Sequence, residues 1–380
     1  MINKSKLVIK IGTSSLVSAS GALSEIKLNR IVQVVSESMH AGHQVVLVSS
    51  GAIAAGYERM GYPVRPVTTK AKQAAASVGQ AILMNAYQEA FMKEGIVSAQ
   101  LLLTRQEMIQ ESSYQHLQNT MNELLSRKVL PIINENDTTS IDELTFGDND
   151  HLASLVSGFM HADYCLLFTD VDGIYDRNPK TDSHAKRIRS LTTRELGNNQ
   201  NLDLRGGSNQ GTGGMEAKIH AAVEAANMGA KVFIGKMDIS MTNLIETTIN
   251  GNGPGTYIVP DDPVPLKTKK QWIAFHAPVN GEIMVDQGAA EALLNEGKSL
   301  LAVGVKQING IFSEHATVIV RSQDGTMIGK GRTRFDAKTL NNLKLAPSSP
   351  SPLVIHRDEW VAMNESYRER MSAHDYTTLI

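Results

Sequence analysis

Six short apolar runs constrain the first two thirds of this chain more than any other feature. They cover residues 7–11, 44–49, 97–103, 129–133, 164–168 and 231–235. Each is strand-sized, and segments of helical spacing lie between them, over 24–41, 69–94, 115–126, 152–160 and 215–228. The first helical segment shows the pattern well. Ser24 is placed to cap it, Ile31, Val34, Val35 and Met39 fall near one face, and Gly42 stops it. Strands that alternate with helices cannot pair by tight hairpins, so they pair in parallel, with the helices covering both faces. The expected fold is therefore α/β, a three-layer α/β/α sandwich with a mainly parallel central sheet.

The pattern changes after Val259-Pro-Asp-Asp-Pro-Val-Pro265. Beyond this proline-rich stretch come short β-like runs at 281–285, 300–303, 316–320 and 326–329, separated by turns. A small C-terminal β-barrel is expected there. The expected organisation is a catalytic domain over 1–258, a linker over 259–276, the barrel over 277–358 and a polar tail over 359–380.

The most distinctive polar stretch is 134–150, which carries six acidic residues and no basic one. It follows the strand-like run 129–133 directly. Acidic and amide side chains at the end of a strand in an α/β sheet sit at the ligand edge. No Lys or Arg occurs between Val129 and Asp176, so these carboxylates call for a partner from outside, either a divalent cation or a substrate ammonium. The amides Asn134, Asn136 and Asn149 add to the look of a binding surface.

Several classes of function can be set aside. With 37 basic and 39 acidic residues the net charge is −2, which argues against a surface built for nucleic acid. Cys165 is the one cysteine, so there is no disulfide framework, and a reducing, cytoplasmic setting is expected. It lies in an apolar run that would host a buried, inert thiol. No stretch is long and apolar enough to span a bilayer, and the N-terminal apolar run is too short for a signal peptide. The glycine spacing at Gly51 and Gly56 suggests a Walker A loop, but Tyr57 stands where that motif needs lysine. No GxGxxG follows the first strand. His356-Arg-Asp358 has the look of a protein-kinase catalytic loop, but Asn364 lies one residue too far on and no DFG follows. No HExxH or CxxC metal motif occurs, and the direct metal ligands are left unassigned.

Three features remain. Lys10 interrupts the first strand just before Gly12, and a charge there is costly without a partner. Ser50-Gly51-Ala52 lies between a strand and a helix start, where backbone N–H groups can hold an anion. Gly211-Thr-Gly-Gly-Met-Glu-Ala-Lys218 is a glycine-rich loop entering a helix, with Lys218 in its first turns. Two lysines, two anion-ready loops and an acidic stretch together are what phosphoryl transfer requires.

In this order the motifs resemble the amino acid kinase family. The likeness runs through Lys10-Ile-Gly-Thr-Ser14, Ser49-Ser-Gly-Ala-Ile-Ala-Ala-Gly56, Leu102-Leu-Thr104, Ile133-Asn-Glu-Asn-Asp-Thr138, Phe146-Gly-Asp-Asn-Asp150, Thr169-Asp-Val-Asp-Gly-Ile-Tyr175 and Gly213-Gly-Met-Glu-Ala-Lys218. Asp286-Gln-Gly-Ala-Ala290 and residues 304–312 resemble a PUA domain. The resemblance implies ATP-dependent phosphorylation of the γ-carboxylate of L-glutamate, with Mg2+, at the start of proline synthesis. It implies that Lys10 and Lys218 offset charge on the transferring group, that Asp150 holds the two lysines, and that Asp148 supports the site and its magnesium. Ser50, Gly51, Ala52, Asn134, Asp137 and Asn149 would bind glutamate. Lys10, Gly12, Thr169, Asp170, Tyr175, Thr212, Gly213, Gly214, Met215, Glu216, Ala217 and Lys218 would bind ATP. A homo-oligomer, transient contact with γ-glutamyl phosphate reductase and feedback inhibition by proline also follow from the resemblance. His116-Leu-Gln118 departs from the family pattern, which bears on a regulatory or subunit contact rather than on the chemistry.

Two other readings compete. One is a different amino acid kinase, acting on N-acetylglutamate or aspartate. Asp137 and the absence of tandem ACT-like repeats count against it. The other is an RNA-binding protein acting through the PUA-like barrel. Residues 278–355 hold eight basic and seven acidic residues, too even a balance for a phosphate-binding surface.

Overall fold

The computed structural model describes residues 4–18, 20–139, 149–179, 181–198, 214–237, 241, 243–261, 266, 268–345 and 350–363. The chain divides into two compact units at Pro265 and Leu266, with the short stretch Ile109–Glu111 counted with the second.

In the first unit the elements run β1 (Lys6–Ile11), α1 (Glu25–His40), β2 (Gln44–Ser49), α2 (Ala52–Gly56), α3 (Thr69–Lys93), β3 (Ser98–Leu103), α4 (Arg105–Ile109), α5 (Glu111–Ser126), β4 (Leu130–Glu135), α6 (Asn149–Phe159), β5 (Tyr164–Thr169), β6 (Ser190–Thr192), α7 (Thr193–Asn198), α8 (Met215–Asn227), β7 (Lys231–Lys236), α9 (Leu244–Ile249) and β8 (Gly255–Val259). The strands form one sheet in the order β3-β4-β2-β1-β5-β7-β8-β6. All neighbours pair in parallel except β7 with β8. All six apolar runs became strands. Ser24 caps α1 as expected, its Oγ accepting from Lys27 N at 3.4 Å.

Alternation along β1 assigns the two faces of the sheet. Leu7, Ile9 and Ile11 enter one core together with Leu28, Ile31 and Val35 of α1, Leu83 and Tyr87 of α3, and Leu244 of α9. The opposite face of β1 and β5 packs against α6, and α8 lies beside α6. Lys10 is out of phase with the apolar set and so faces α6. Cys165, on that side too, has its Sγ 4.0 Å from the carbonyl oxygen of Ala153 in α6. Its burial pushes the thiol up to about 12, which suits an inert core residue.

A close helix crossing brings α3 toward the ligand edge. A Cβ on Gly56 would stand 2.0 Å from the carbonyl oxygen of Ala75, and one on Gly79 would stand 1.8 Å from that of Ala52. Only glycine at both positions lets α2 and α3 touch along their backbones.

The second unit contains α10 (Thr268–Phe275), β9 (Val279–Val285), α11 (Gln287–Leu294), β10 (Leu300–Leu301), β11 (Val305–Asn309), β12 (Thr317–Arg321), β13 (Met327–Thr333), α12 (Ala337–Leu345) and β14 (Leu353–Ala362). Its strands form a six-stranded sheet, β10-β14-β13-β12-β9-β11, around a core that includes Ile283, Val318, Val320 and Trp360. The long strand β14 pairs with β10 through Leu353 and Ile355 and with β13 through Ile355 and Trp360, with register shifts that bend it. The stretch 259–276, expected as a linker, contains α10, where Trp272, Ile273 and Ala274 are buried. The stretch 359–380, expected as a tail, begins inside β14. His356-Arg-Asp358 lies on that strand and not in a catalytic loop.

Candidate active site

Parallel strands align their carboxyl ends, and β1, β2, β4 and β5 deliver the site residues to one edge. Ile11 is in register with Ser49 on one side and Phe168 on the other, and Val48 with Ile133. The chain therefore leaves the sheet at Gly12, Ser50, Asn136 and Asp170, side by side.

Lys10 reaches from β1 to Asp150 in the first turn of α6, with Nζ 2.6 Å from Oδ1. Lys218, in the first turns of α8, places its Nζ 2.6 Å from Oδ2 of the same carboxylate. The side chains are 6% exposed for Lys10, 14% for Lys218 and 1% for Asp150, so the cluster is nearly dry. Burial alone would raise the Asp150 carboxyl, but the two ammonium groups outweigh it and hold it below the usual carboxylate range. Residues 134–150 were expected to need charge from outside. Asp150 is neutralised from within, by the two lysines that the resemblance assigned to it.

Gly12 continues from β1, and a Cβ there would lie 3.6 Å from Lys10 Nζ and 3.6 Å from the Phe168 carbonyl oxygen. Gly51 stands at the start of α2 with φ +109, and Ala52 opens the helix. The first turn of α2 thus has the strand-to-helix geometry expected of Ser50-Gly51-Ala52.

A second group lies next to the first. The Asn149 amide Nδ2 is 2.8 Å from Ser50 Oγ, 2.9 Å from Asn134 Oδ1 and 3.3 Å from the Ser49 carbonyl oxygen. Asn134 in turn donates to Gln80 Oε1 of α3 at 2.9 Å, and Ser49 Oγ meets Tyr87 Oη at 2.9 Å. Ser77 Oγ and Thr138 Oγ1 are 3.0 Å apart. Asp137 is half-buried. Desolvation, reinforced by Glu135 and opposed by Arg65, pushes its carboxyl up to about 6.

Of the residues expected to bind the nucleotide, Thr169 ends β5 and donates to Asp170 Oδ1 at 3.0 Å. Gly214 precedes α8, which opens with Met215, Glu216 and Ala217. Glu216 points along the exposed face, with its Oε1 4.0 Å from His220 Nε2. Tyr175 donates to Asp172 Oδ2 at 2.9 Å, and its backbone pairs antiparallel with that of Arg187. Asp148, Thr212 and Gly213 lie outside the described residues. Among the described residues there is no group of three or more His, Cys, Asp or Glu able to hold a metal ion, and no helix is long and apolar enough to cross a membrane.

Gln80, Ser77, Tyr87 and Arg65 were not expected near the site. Nothing in their spacing marks them. The glycine pair that lets α2 and α3 cross is the one sequence feature from which the approach of α3 could have been read.

Comparison with known proteins gives a consistent picture. A model described as the amino acid kinase family matches residues 5–236, and one for the PUA domain matches residues 281–348. The glutamate 5-kinase of Bacillus mycoides (strain KBAB4) is 45% identical over 371 residues, covering 95% of this chain and 100% of the relative. The glutamate 5-kinase of Halalkalibacterium halodurans is 44% identical over 378 residues, covering 97% of this chain and 100% of the relative. Among solved structures, the carbamate kinase from Giardia lamblia bound to AMP-PNP aligns with a TM-score of 0.50 at 16% identity, covering 68% of this chain and 100% of that one, a likeness of fold.

Proposed function

Because the chain belongs to the amino acid kinase family, we propose that its Lys10–Asp150–Lys218 cluster is where the terminal phosphoryl group of ATP passes to the γ-carboxylate of L-glutamate. The protein is an ATP-dependent carboxylate kinase, and its product, γ-glutamyl phosphate, opens proline biosynthesis. The observation that carries the site assignment is the pair of lysines held at 2.6 Å from the two oxygens of one buried carboxylate, at the carboxyl edge of the sheet.

The geometry supports the following mechanism. A γ-carboxylate oxygen attacks the γ-phosphorus as the bond from that phosphorus to the bridging oxygen breaks, and the electron pair leaves with ADP. No general base is required, because the carboxylate is already ionised at neutral pH, with a pKa of about 4.3. Lys10 and Lys218 offset the negative charge that gathers on the transferring group. Asp150 keeps both ammonium groups at fixed positions, so little reorganisation accompanies transfer. Ser50, Asn134 and Asn149 orient the amino acid, and Asp137 takes its α-ammonium. Thr169, Asp170 and the start of α8 at Gly214 face the nucleotide. The start of a helix as long as α8 suits a phosphate. Magnesium would arrive with ATP, spread the charge of the triphosphate and draw ligands from the phosphates themselves. Asp148, in the acidic stretch, would be the residue to support it.

Turnover of ATP against glutamate, aspartate, N-acetylglutamate and carbamate tests this directly. Glutamate should lead by orders of magnitude, and preference for any of the others would overturn the substrate assignment. A pH profile tests Asp137. Its carboxyl titrates near 6 in the empty enzyme, and only the ionised form can pair with an ammonium. Since kcat/KM reports the free enzyme, its value for glutamate should fall as pH drops through about 6. A flat profile down to pH 5 would remove Asp137 from that role.

The product is an acyl phosphate and hydrolyses readily, so a reductase that consumes it, γ-glutamyl phosphate reductase, is the natural partner. The edge strand β3 supports self-association, because Val97 just before it is 67% exposed and Leu102 within it 37%. A buried free thiol suits a cytoplasmic setting. The second unit has its own core and a near-even charge balance. A chain ending near Lys267 should still turn over glutamate and ATP, and the intact protein should bind RNA no better than a generic acidic protein. Submicromolar RNA affinity with steep salt dependence would revive the RNA-binding reading.

A further inference from the structure

Asp150 and Lys218 sit on α6 and α8, two helices packed side by side. α8 buries Ala221, Ala222 and Ala225, and α6 buries Ala153, Ser157 and Gly158. Small side chains let two helices approach closely and interlock only shallowly, so a directional polar tie adds to the register that packing sets. A directional tie is present a turn and a half beyond Lys218. Glu224 Oε2 lies 2.6 Å from Ser154 Oγ and 3.2 Å from His151 Nε2. His151 is the residue next to Asp150, and Ser154 lies one turn further along α6. The Ser154 hydroxyl is also 2.8 Å from the His151 carbonyl oxygen. The carboxylate is the stronger acceptor for its single proton, and 2.6 Å is the length of a charge-assisted O–H···O bond.

We propose that Glu224 is a positioning residue for phosphoryl transfer: by holding Ser154 and His151 it fixes α8 against α6, and so fixes the Lys218 ammonium against Asp150. This rests on the function proposed above. Glu224 sits on the half-buried flank of the helix pair. Its effect reaches the chemistry only through the placement of Lys218. Misplacement of a charge-stabilising group by about 1 Å can cost on the order of a hundredfold in rate, so a modest shift of α8 should be visible in turnover.

The test is a double-mutant cycle on the intact chain. The wild type is first assayed with glutamate and ATP, which tests the functional reading independently of this proposal. Glu224→Ala should then lower kcat about tenfold, with KM for glutamate within about twofold. Glu224→Gln, which keeps an acceptor for Ser154, should recover most of the loss. In a Lys218→Ala background, Glu224→Ala should lower kcat no further. A full tenfold loss in that background, or an unchanged kcat in folded Glu224→Ala, would overturn the proposal. If Glu224→Ala does not fold, Ser154→Ala replaces it in the same cycle, with a loss of about threefold expected in the wild-type background and none in Lys218→Ala. Additivity there would overturn the proposal equally.

Discussion

Lys10→Ala and Lys218→Ala should each lower kcat by about 10²–10³ at saturating glutamate and ATP, the scale of losing one fixed donor to a developing oxyanion. The expectation comes from the shared partner. Each lysine is held at 2.6 Å from Asp150, yet the ammonium has further donors that the carboxylate does not use. Those donors are available to phosphoryl oxygens. Neither substitution orphans Asp150, because the other lysine still pairs with it, so the fold should survive. Asp150→Ala is a different matter. It leaves two nearly buried cations facing each other, and loss of such a partner costs about 3–5 kcal/mol of stability. Kinetics with thermal melts on all three variants check this. A near-normal kcat in either lysine variant would rule out that lysine, and an Asp150→Ala melt equal to wild type would show that the cluster contributes little to the fold.

Asp137→Asn should raise KM for glutamate strongly, leave KM for ATP within a few-fold, and narrow the preference for glutamate over N-acetylglutamate. An N-acetylated substrate has no ammonium, so it would bury the Asp137 carboxylate without a partner. Sites built around a polar partner reject analogues that lack it by roughly 10⁴-fold. The elevated Asp137 carboxyl carries the argument further. A carboxyl with a folded-state pKa above its unfolded value binds its proton more tightly when folded. The empty enzyme therefore loses stability as pH rises from the unfolded value of about 3.9 toward about 6, where Asp137 ionises. Glutamate should reverse this loss. Its stabilisation of the protein in a thermal-shift titration should be larger at pH 8 than at pH 5, and the difference should vanish in Asp137→Asn. Equal loss in both KM values would point instead to a structural or metal-linked role, and no change in either constant would make Asp137 an outward loop residue.

Much of the kinase unit was legible because its central strands are buried on both faces and read as nearly unbroken apolar runs. The elements that were not legible are short or lie toward the far edge of the sheet. β6 is three residues, Ser190–Thr192, and has no run to detect. β8, Gly255–Val259, is half polar and pairs antiparallel with β7, against the pattern of its neighbours. α9, Leu244–Ile249, is too short to show a helical period. In the site, residues next to glycine turns stood out, whereas partners contributed by distant helices did not. Gln80 is an ordinary polar position on a long helix until Asn134 meets it. Glu224 looks like a solvated helix residue until Ser154 is placed beside it. Spacing along a chain can mark where backbone turns, but it does not reveal which side chains the fold brings together.

The placement of Lys10 has a bearing on the order in which the protein can be made. β1 is the middle of its neighbourhood in the sheet, with β2 on one side and β5 on the other. Lys10 is synthesised well before Asp150 and Lys218, which follow it in the chain by 140 and 208 residues. Until then the nascent chain holds an ammonium that cannot be buried, and β1 cannot close into a dry sheet. The dry packing around Lys10 is therefore completed only once α6 has been made, which ties closure of the first strand to a segment far along the chain.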